Sequence, residues 1–341
     1  MKHILILFFA ILALSTPSLA SEPYAAGMRG ISIADPDGQR DLEGFLWHPT
    51  QHGQLNEFDF DSKVWVGTSV VKDAELSDGN FPLVVLSHGM FGNAYNQAWL
   101  AAALAKKGYL VAAINHPGTS TWLRDENQRR ELWKRPQDIS RVIDHLTSSE
   151  AYAAHIDPSK IFMAGHSLGG FTAALLAGAR YDAGKFETVC ADVPDELVCK
   201  VLNGWNIAKT PQDRTQMEAD LSDHRIKAFT LFDLGGTQSF STQSLSQITR
   251  PMLIFGAPIM NSGLTLDIES RALVKALPDQ NTDYIEHATM SHFDFFGLCK
   301  PGGFELLAQE EPGDELICQD GGDKRAEKHK LIIENVLKTF Q

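Results

Sequence analysis

Two hydrophobic periodicities divide the chain. Between residues 28 and 72 the apolar positions alternate or cluster in short β-branched runs, at 30–33, 42–47 and 64–71, with Asp35-Pro36-Asp37-Gly38 and His48-Pro49 between them. Such runs, broken by Pro and Gly, predict short strands joined by turns. We expect an antiparallel meander here, with His48 and His52 in exposed turns. From residue 81 the runs become continuous, at 81–86, 109–114, 161–164, 226–232 and 251–255. Runs without polar breaks predict strands buried on both faces, as in a parallel sheet. Residues 284–285 form a last strand.

Helix-period segments lie between these runs. Residues 97–107 are rich in Ala and Leu and stop at Gly108; a segment led by Pro136 puts Ile139, Val142, Ile143 and Leu146 on one face. A small-residue helix follows Ser167, another helix spans 268–277, and 324–340 is amphipathic through Ile332, Ile333, Val336 and Leu337. Strands alternating with helices predict an α/β chain, a mostly parallel central sheet flanked by helices on both faces, preceded by antiparallel strands.

Two stretches break the alternation. Residues 181–224 are polar and helix-prone, and hold Cys190, Cys199 and Trp205. They read as a helical insertion, a candidate lid. Residues 297–323 read as a Gly/Pro/acidic loop carrying Cys299 and Cys318. Residues 1–20 combine a basic start, an apolar run over 4–14 and a small-residue end at Ala20. That pattern predicts a cleavable signal peptide, with the domain at 21–341 and a secreted or periplasmic address. The apolar run is shorter than the ~20 residues of a membrane span.

Composition refines this picture little: 43% of residues are hydrophobic and 21% charged, as in a globular enzyme. With 43 acidic against 30 basic residues, the formal charge of -13 argues against nucleic acid or an anionic membrane surface as the main partner. Four cysteines in an exported chain read as two disulfides, and their spacing favours Cys190–Cys199 and Cys299–Cys318. No C-x-x-C spacing points to zinc.

The candidate chemistry centres on Gly165-His166-Ser167-Leu168-Gly169, a G-x-S-x-G sequence between an apolar run and a small-residue helix. This is the setting of a nucleophile elbow, where a sharp strand-to-helix turn exposes the serine Oγ. The helix start then offers the Leu168 N–H to an oxyanion. A serine hydroxyl needs a base, and the base an acid to orient it; on the α/β-hydrolase fold they follow in the order Ser, Asp/Glu, His. His292, in the loop after the last strand, is preferred as base over His287, which ends that strand. Asp233, ending the 226–232 strand, is preferred as acid over Asp267, which reads as a helix cap. The Met90 N–H, in the loop after 81–86, is the second oxyanion donor, and neighbouring His88 reads as a loop-holding residue. Phe91, Trp122 and Trp133 are candidates for an apolar acyl pocket. No metal or organic cofactor is implied.

Taken together, 86–90 (Leu-Ser-His-Gly-Met), His116-Pro117-Gly118, 165–170 and 291–295 resemble the platelet-activating-factor acetylhydrolase group and its bacterial relatives labelled predicted dienelactone hydrolases. The likeness covers residues 28–296. It implies an α/β-hydrolase fold, a Ser167–Asp233–His292 triad, oxyanion donors including Met90, and a small-molecule or lipid ester substrate. True dienelactone hydrolases carry cysteine at the elbow; Ser167 departs from them, so lactone specificity is not implied. Peptidase, amidase or acyltransferase activity, or a catalytically inactive binding protein, are the alternative functions.

Overall fold

The computed structural model describes residues 22–51, 57–319 and 322–341; residues 1–20 and His52 lie outside the described set. The amino-terminal strands are β1 (Ala25–Ile33), β2 (Leu42–Thr50), β3 (Glu57–Asp59) and β4 (Thr68–Lys72). The continuous apolar runs become β5 (Phe81–Ser87), β6 (Leu110–Asn115), β7 (Ile156–His166), β8 (Ile226–Phe232) and β9 (Met252–Gly256), with β10 (Thr282–Glu286) last. They form one sheet in the order β10-β9-β8-β7-β5-β6-β2-β1-β4-β3. From β6 to β10 every pairing is parallel, whereas β2 is antiparallel to both β1 and β6.

Two expectations for the amino-terminal part need correction. The segment is not a plain antiparallel meander, since β4 runs parallel to β1 (Gly27 opposite Val71) and only β3 is antiparallel to β4. Val70 explains this: it is fully buried in one core with Ala26 and Met28, which draws β4 alongside β1. Nor is His48 in an exposed turn. It is fully buried within β2, opposite Gly27, where an added Cβ would lie 2.3 Å from its ring. A glycine across the ladder thus makes room for the imidazole. Burial pushes the His48 pKa down to about 4, so the ring is neutral.

Helices cover both faces of the sheet. α1 (Ala98–Lys106) is followed by the short α2 (Glu126–Arg130), then by α3 (Lys134–Ser148) and α4 (Leu168–Ala177). The insertion forms α5 (Ala183–Asp192), α6 (Leu197–Gly204) and α7 (Pro211–Met217). The remainder are α8 (Thr242–Ser246), α9 (Ser270–Ala276), α10 (Gly303–Glu310) and α11 (Gly322–Thr339). Leu83 and Val85 of β5 join one core with Ile139 and Val142 of α3 and Leu175 of α4. Their neighbours Val84 and Leu86 join the other, with Leu100 of α1 and Val336 of α11. Side chains alternate across a strand, so burial on both faces demands the unbroken apolar run. Each fully buried Leu or Val contributes about 1.5–3 kcal/mol.

Both favoured cysteine pairs are joined: Cys190 of α5 to Cys199 of α6, and Cys299 to Cys318, with Cα–Cα distances of 5.4 and 5.7 Å. The 297–323 segment is not all loop. It holds α10 and a 3₁₀ turn at Asp314–Cys318, because the apolar residues Phe304, Leu306 and Leu307 lie at helical spacing inside its acidic and glycine-rich flanks. Among the described residues no helix is long and apolar enough to cross a membrane.

Strand order fixes where a site can form. β5 lies between β6 and β7, so the chain leaves its carboxyl end toward one side of the sheet and leaves that of β7 toward the other. At such a switch point the two loops part and open a crevice. The loops there are 88–90, after β5, and the β7–α4 turn at Ser167.

Candidate active site

Ser167 sits between β7 and α4 with φ 54° and ψ −116°, a conformation costly for a residue with a side chain. Close packing holds it there. A Cβ on Gly165 would lie 2.1 Å from the Gly169 carbonyl oxygen, and one on Gly169 would lie 1.9 Å from that of Ser87. Neither position accepts a side chain, which is why the elbow needs its two glycines. The Ser167 N–H donates to the Phe232 carbonyl at 2.9 Å, tying the turn to the end of β8.

The next residue, Asp233, is also left-handed (φ 43°) and 4% exposed. Its Oδ1 accepts the Ala257 N–H at 3.0 Å, and its Oδ2 lies 2.6 Å from His292 Nδ1. A carboxylate on Nδ1 fixes the proton there and leaves Nε2 with a free lone pair. His292 opens a 3₁₀ turn at His292–Phe295, and its carbonyl accepts from His166 Nε2 at 2.9 Å. His166 is buried, which holds its pKa well below the ordinary histidine value. It is therefore a neutral clamp between the elbow and the His292 turn.

The 88–90 loop runs against the elbow: a Cβ on Gly89 would lie 3.2 Å from Ser167 Cβ. Among the described residues the Met90 and Leu168 N–H groups have no protein acceptor. Met90, Ser167 and Leu168 share a narrow crevice of about 50 Å³, whose wall includes Phe171, Leu202, Trp205 and Leu264. The five preferred site residues thus fall into two groups, Met90 and Leu168 with Ser167 in the crevice and Asp233 bonded to His292. Asp267 does not: it is exposed, 2.8 Å from Arg271. His287 is exposed beside Thr289.

Residues 80–191 match the family described as serine aminopeptidase, S33. Over 145 residues the chain is 27% identical to the bis(hydroxyethyl) terephthalate hydrolase of Streptomyces coelicolor, a match spanning 42% of this chain and 39% of that protein. The fold is similar to that of the ferulic acid esterase from Streptomyces cinnamoneus, with a TM-score of 0.60 and 19% identity, covering 96% of this chain and 91% of that one. The chain has the α/β-hydrolase fold.

Behind the 88–90 loop the chain holds a buried polar network. Arg40 clamps Asp138 with two bonds of 2.7 Å, and Asp138 Oδ2 accepts from His116 Nδ1 at 2.9 Å. His116 Nε2 lies 2.9 Å from Ser87 Oγ. Arg135 donates to Ser87 Oγ at 3.1 Å and to the His88 carbonyl at 2.6 Å. His88 closes the network: its Nε2 accepts the His116 N–H at 3.0 Å, and its Nδ1–H donates to the Gly89 carbonyl at 2.7 Å. Burial keeps both histidines neutral. The Ser87–His116–Asp138 chain imitates a triad, but it is sealed and serves the loop. The spacing of Arg135 and Asp138 was a sequence signal, legible only as a helix start.

Glu269 left no such signal. It is 2% exposed, and its carboxylate accepts the N–H groups of Gly236 (2.7 Å) and Thr237 (2.8 Å), pinning the turn that follows Asp233 and edges the crevice. Burial pushes its pKa from 4.5 up to about 8. A folded-state value above the unfolded one means that the folded chain binds the proton more tightly, so stability falls as pH rises from about 4.5 to 8. In Glu269→Gln the amide oxygen keeps both acceptor roles and nothing titrates. Thermal unfolding at pH 5 and pH 8 is expected to show the variant gaining on the order of 2–4 kcal/mol relative to wild type between the two. A pH-independent difference contradicts this.

The aromatic candidates need correction. Trp133 is buried in the core beside α3 and Trp122 is 61% exposed, edge-on to Tyr95. Phe91 stands outside the crevice, its ring 5.7 Å from that of Trp205. The aromatic wall is Phe171 and Trp205, the second supplied by the residues that follow α6. Among the described residues there is no cluster of three or more His, Cys, Asp or Glu suited to a metal.

Proposed function

We propose that this α/β-hydrolase is a secreted serine ester hydrolase acting through an acyl-enzyme. The observation that carries the reading is the 2.6 Å bond from His292 Nδ1 to Asp233 Oδ2, beside a serine held at φ 54°. His292 Nε2 takes the Ser167 proton as Oγ attacks the ester carbonyl. The oxyanion lies against the Met90 and Leu168 N–H groups. The imidazolium returns its proton to the departing alkoxide, which leaves as an alcohol. Water, deprotonated by His292, then attacks the acyl-enzyme; the acid departs and Ser167 recovers its proton.

The crevice supports a short acyl group. At about 50 Å³ it is well below the ~300–1,000 Å³ of pockets that engulf drug-sized ligands, and its wall is mostly apolar. α6, tethered by Cys190–Cys199, supplies one wall and serves as a roof. The resemblance to platelet-activating-factor acetylhydrolases points the same way. The names of the two relatives, a terephthalate hydrolase and a ferulic acid esterase, also support an ester substrate.

A second reading, aminopeptidase, is favoured by the family description. It requires an acidic group to receive a free ammonium beside the crevice, whereas the side chains stacked on the rim aromatics are guanidinium groups. A fluorophosphonate probe tests the hydrolase reading: the wild-type protein is labelled and Ser167→Ala is not. Labelling that survives Ser167→Ala contradicts it. A series of p-nitrophenyl esters, compared with aminoacyl p-nitroanilides, separates the two readings; turnover should fall as the acyl chain outgrows the crevice.

A further inference from the structure

The rim of the Ser167 crevice carries a cationic cluster that the proposed chemistry does not use. Phe91 follows Met90 directly and is held in the left-handed region (φ 53°), its N–H bonded to the Thr119 carbonyl at 2.8 Å. The backbone therefore fixes where its ring stands, 5.7 Å from Trp205 in the crevice wall. Two guanidinium groups lie over this pair. Arg124 sits 4.7 Å from the Phe91 ring centroid, and Arg129 sits 5.7 Å from Phe91 and 5.4 Å from Trp205.

Neither cation is neutralised by a strong partner. Arg124 is exposed, donates through Nε to the Thr121 carbonyl at 3.0 Å, and has no carboxylate within 4 Å among the described residues. Arg129 faces Glu126 at 3.5 Å, but that carboxylate is 89% exposed, and such solvated pairs are weak. Arg129 Nε is buried without a partner. The neighbouring acids are otherwise engaged: Asp125 caps α2 through the Gln128 N–H, Asp213 pairs with Arg130 and Glu131 with Lys134. In a chain of net charge -13, Arg124 without a described carboxylate within 4 Å and Arg129 with only the solvated Glu126 mark a local reversal of sign beside the crevice. Stacking on aromatic faces pre-orients a guanidinium and leaves its edge donors free, the arrangement that suits a planar oxyanion.

We propose that Arg124 and Arg129 form an anion-recognition subsite, so that preferred substrates are esters bearing a carboxylate or phosphate a few atoms from the scissile carbonyl. This rests on the serine-hydrolase reading, and its failure is distinguishable from the failure of that reading. The readout is the ratio of kcat/KM on 4-acetoxybenzoate to that on its neutral methyl ester, with 4-acetoxyphenyl phosphate as a second anion. In the wild-type protein the ratio should exceed one by tenfold or more for at least one anion, and shrink as salt is raised. Arg124→Ala/Arg129→Ala should lower it at least tenfold, and Arg124→Lys/Arg129→Lys should restore part of it. Fluorophosphonate labelling identifies variants that remain folded. A wild-type ratio near one for both anions, or a ratio that the alanine pair leaves unchanged, overturns the subsite. Absence of any ester turnover or labelling overturns instead the hydrolase reading beneath it.

Discussion

Asp233→Asn is expected to lower kcat for p-nitrophenyl acetate about 10³–10⁴-fold while leaving the fold intact. The cause is the direction in which the amide must point. Asp233 Oδ1 accepts the Ala257 N–H at 3.0 Å, so an asparagine keeps its carbonyl there and turns its NH₂ toward His292 Nδ1. Two donors cannot face each other. The imidazole therefore moves its proton to Nε2, the atom that would have received the serine proton, and the base is lost by tautomer rather than by displacement. Asp267→Asn is the control: that carboxylate is exposed on Arg271, and kcat should hold within about twofold. If Asp267→Asn gives the large loss and Asp233→Asn does not, the acid is wrongly assigned. Circular dichroism confirms that both variants are folded.

Asp138→Ala is expected to destabilise the protein by about 3–5 kcal/mol, the effect of stripping a buried ion pair of one partner. Asp138 is 1% exposed and serves three neighbours: Arg40 through two bonds, His116 Nδ1 through one, and Arg141 at 3.9 Å. Its removal leaves the nearly buried Arg40 guanidinium uncompensated and the His116 proton without an acceptor. At about 2–4 °C per kcal/mol, calorimetry should register a fall in Tm on the order of 10 °C. Asp138→Asn keeps one acceptor and should lose less. A drop of only a degree or two for Asp138→Ala would mean that water or another carboxylate takes over the role.

The central strands were legible because burial on both faces forces an unbroken run of apolar residues, as in 81–86 and 226–232, and their ends place Ser87 and Asp233 at one edge of the sheet. The elbow was legible because it needs two glycines at fixed positions. Other features follow from contacts between distant segments and leave no local pattern. His48 is buried because Gly27, in another strand, vacates the space opposite it. Glu269 holds Gly236 and Thr237, some thirty residues away in sequence, and reads locally as an ordinary acid before a helix. The parallel pairing of β4 depends on Val70 finding the Ala26 and Met28 core, which strand propensity does not specify. Phe91 reads in the sequence as a candidate for the apolar acyl pocket, but its backbone has a positive φ and its ring stands on the rim rather than in the crevice.

The Cys190–Cys199 bond joins α5 to α6, and α6 presents Leu197, Val198, Val201 and Leu202 to the space over Ser167. The ceiling of the crevice is thus assembled by a covalent event separate from the folding of the sheet. A chain made under reducing conditions would complete its sheet and elbow while α6 lacked its tether, so Ser167 would face a wider and wetter opening. Reducing Cys190–Cys199 is therefore expected to change which acyl chains are accepted more than it changes labelling of Ser167, so the address at which disulfides form would bear on selectivity.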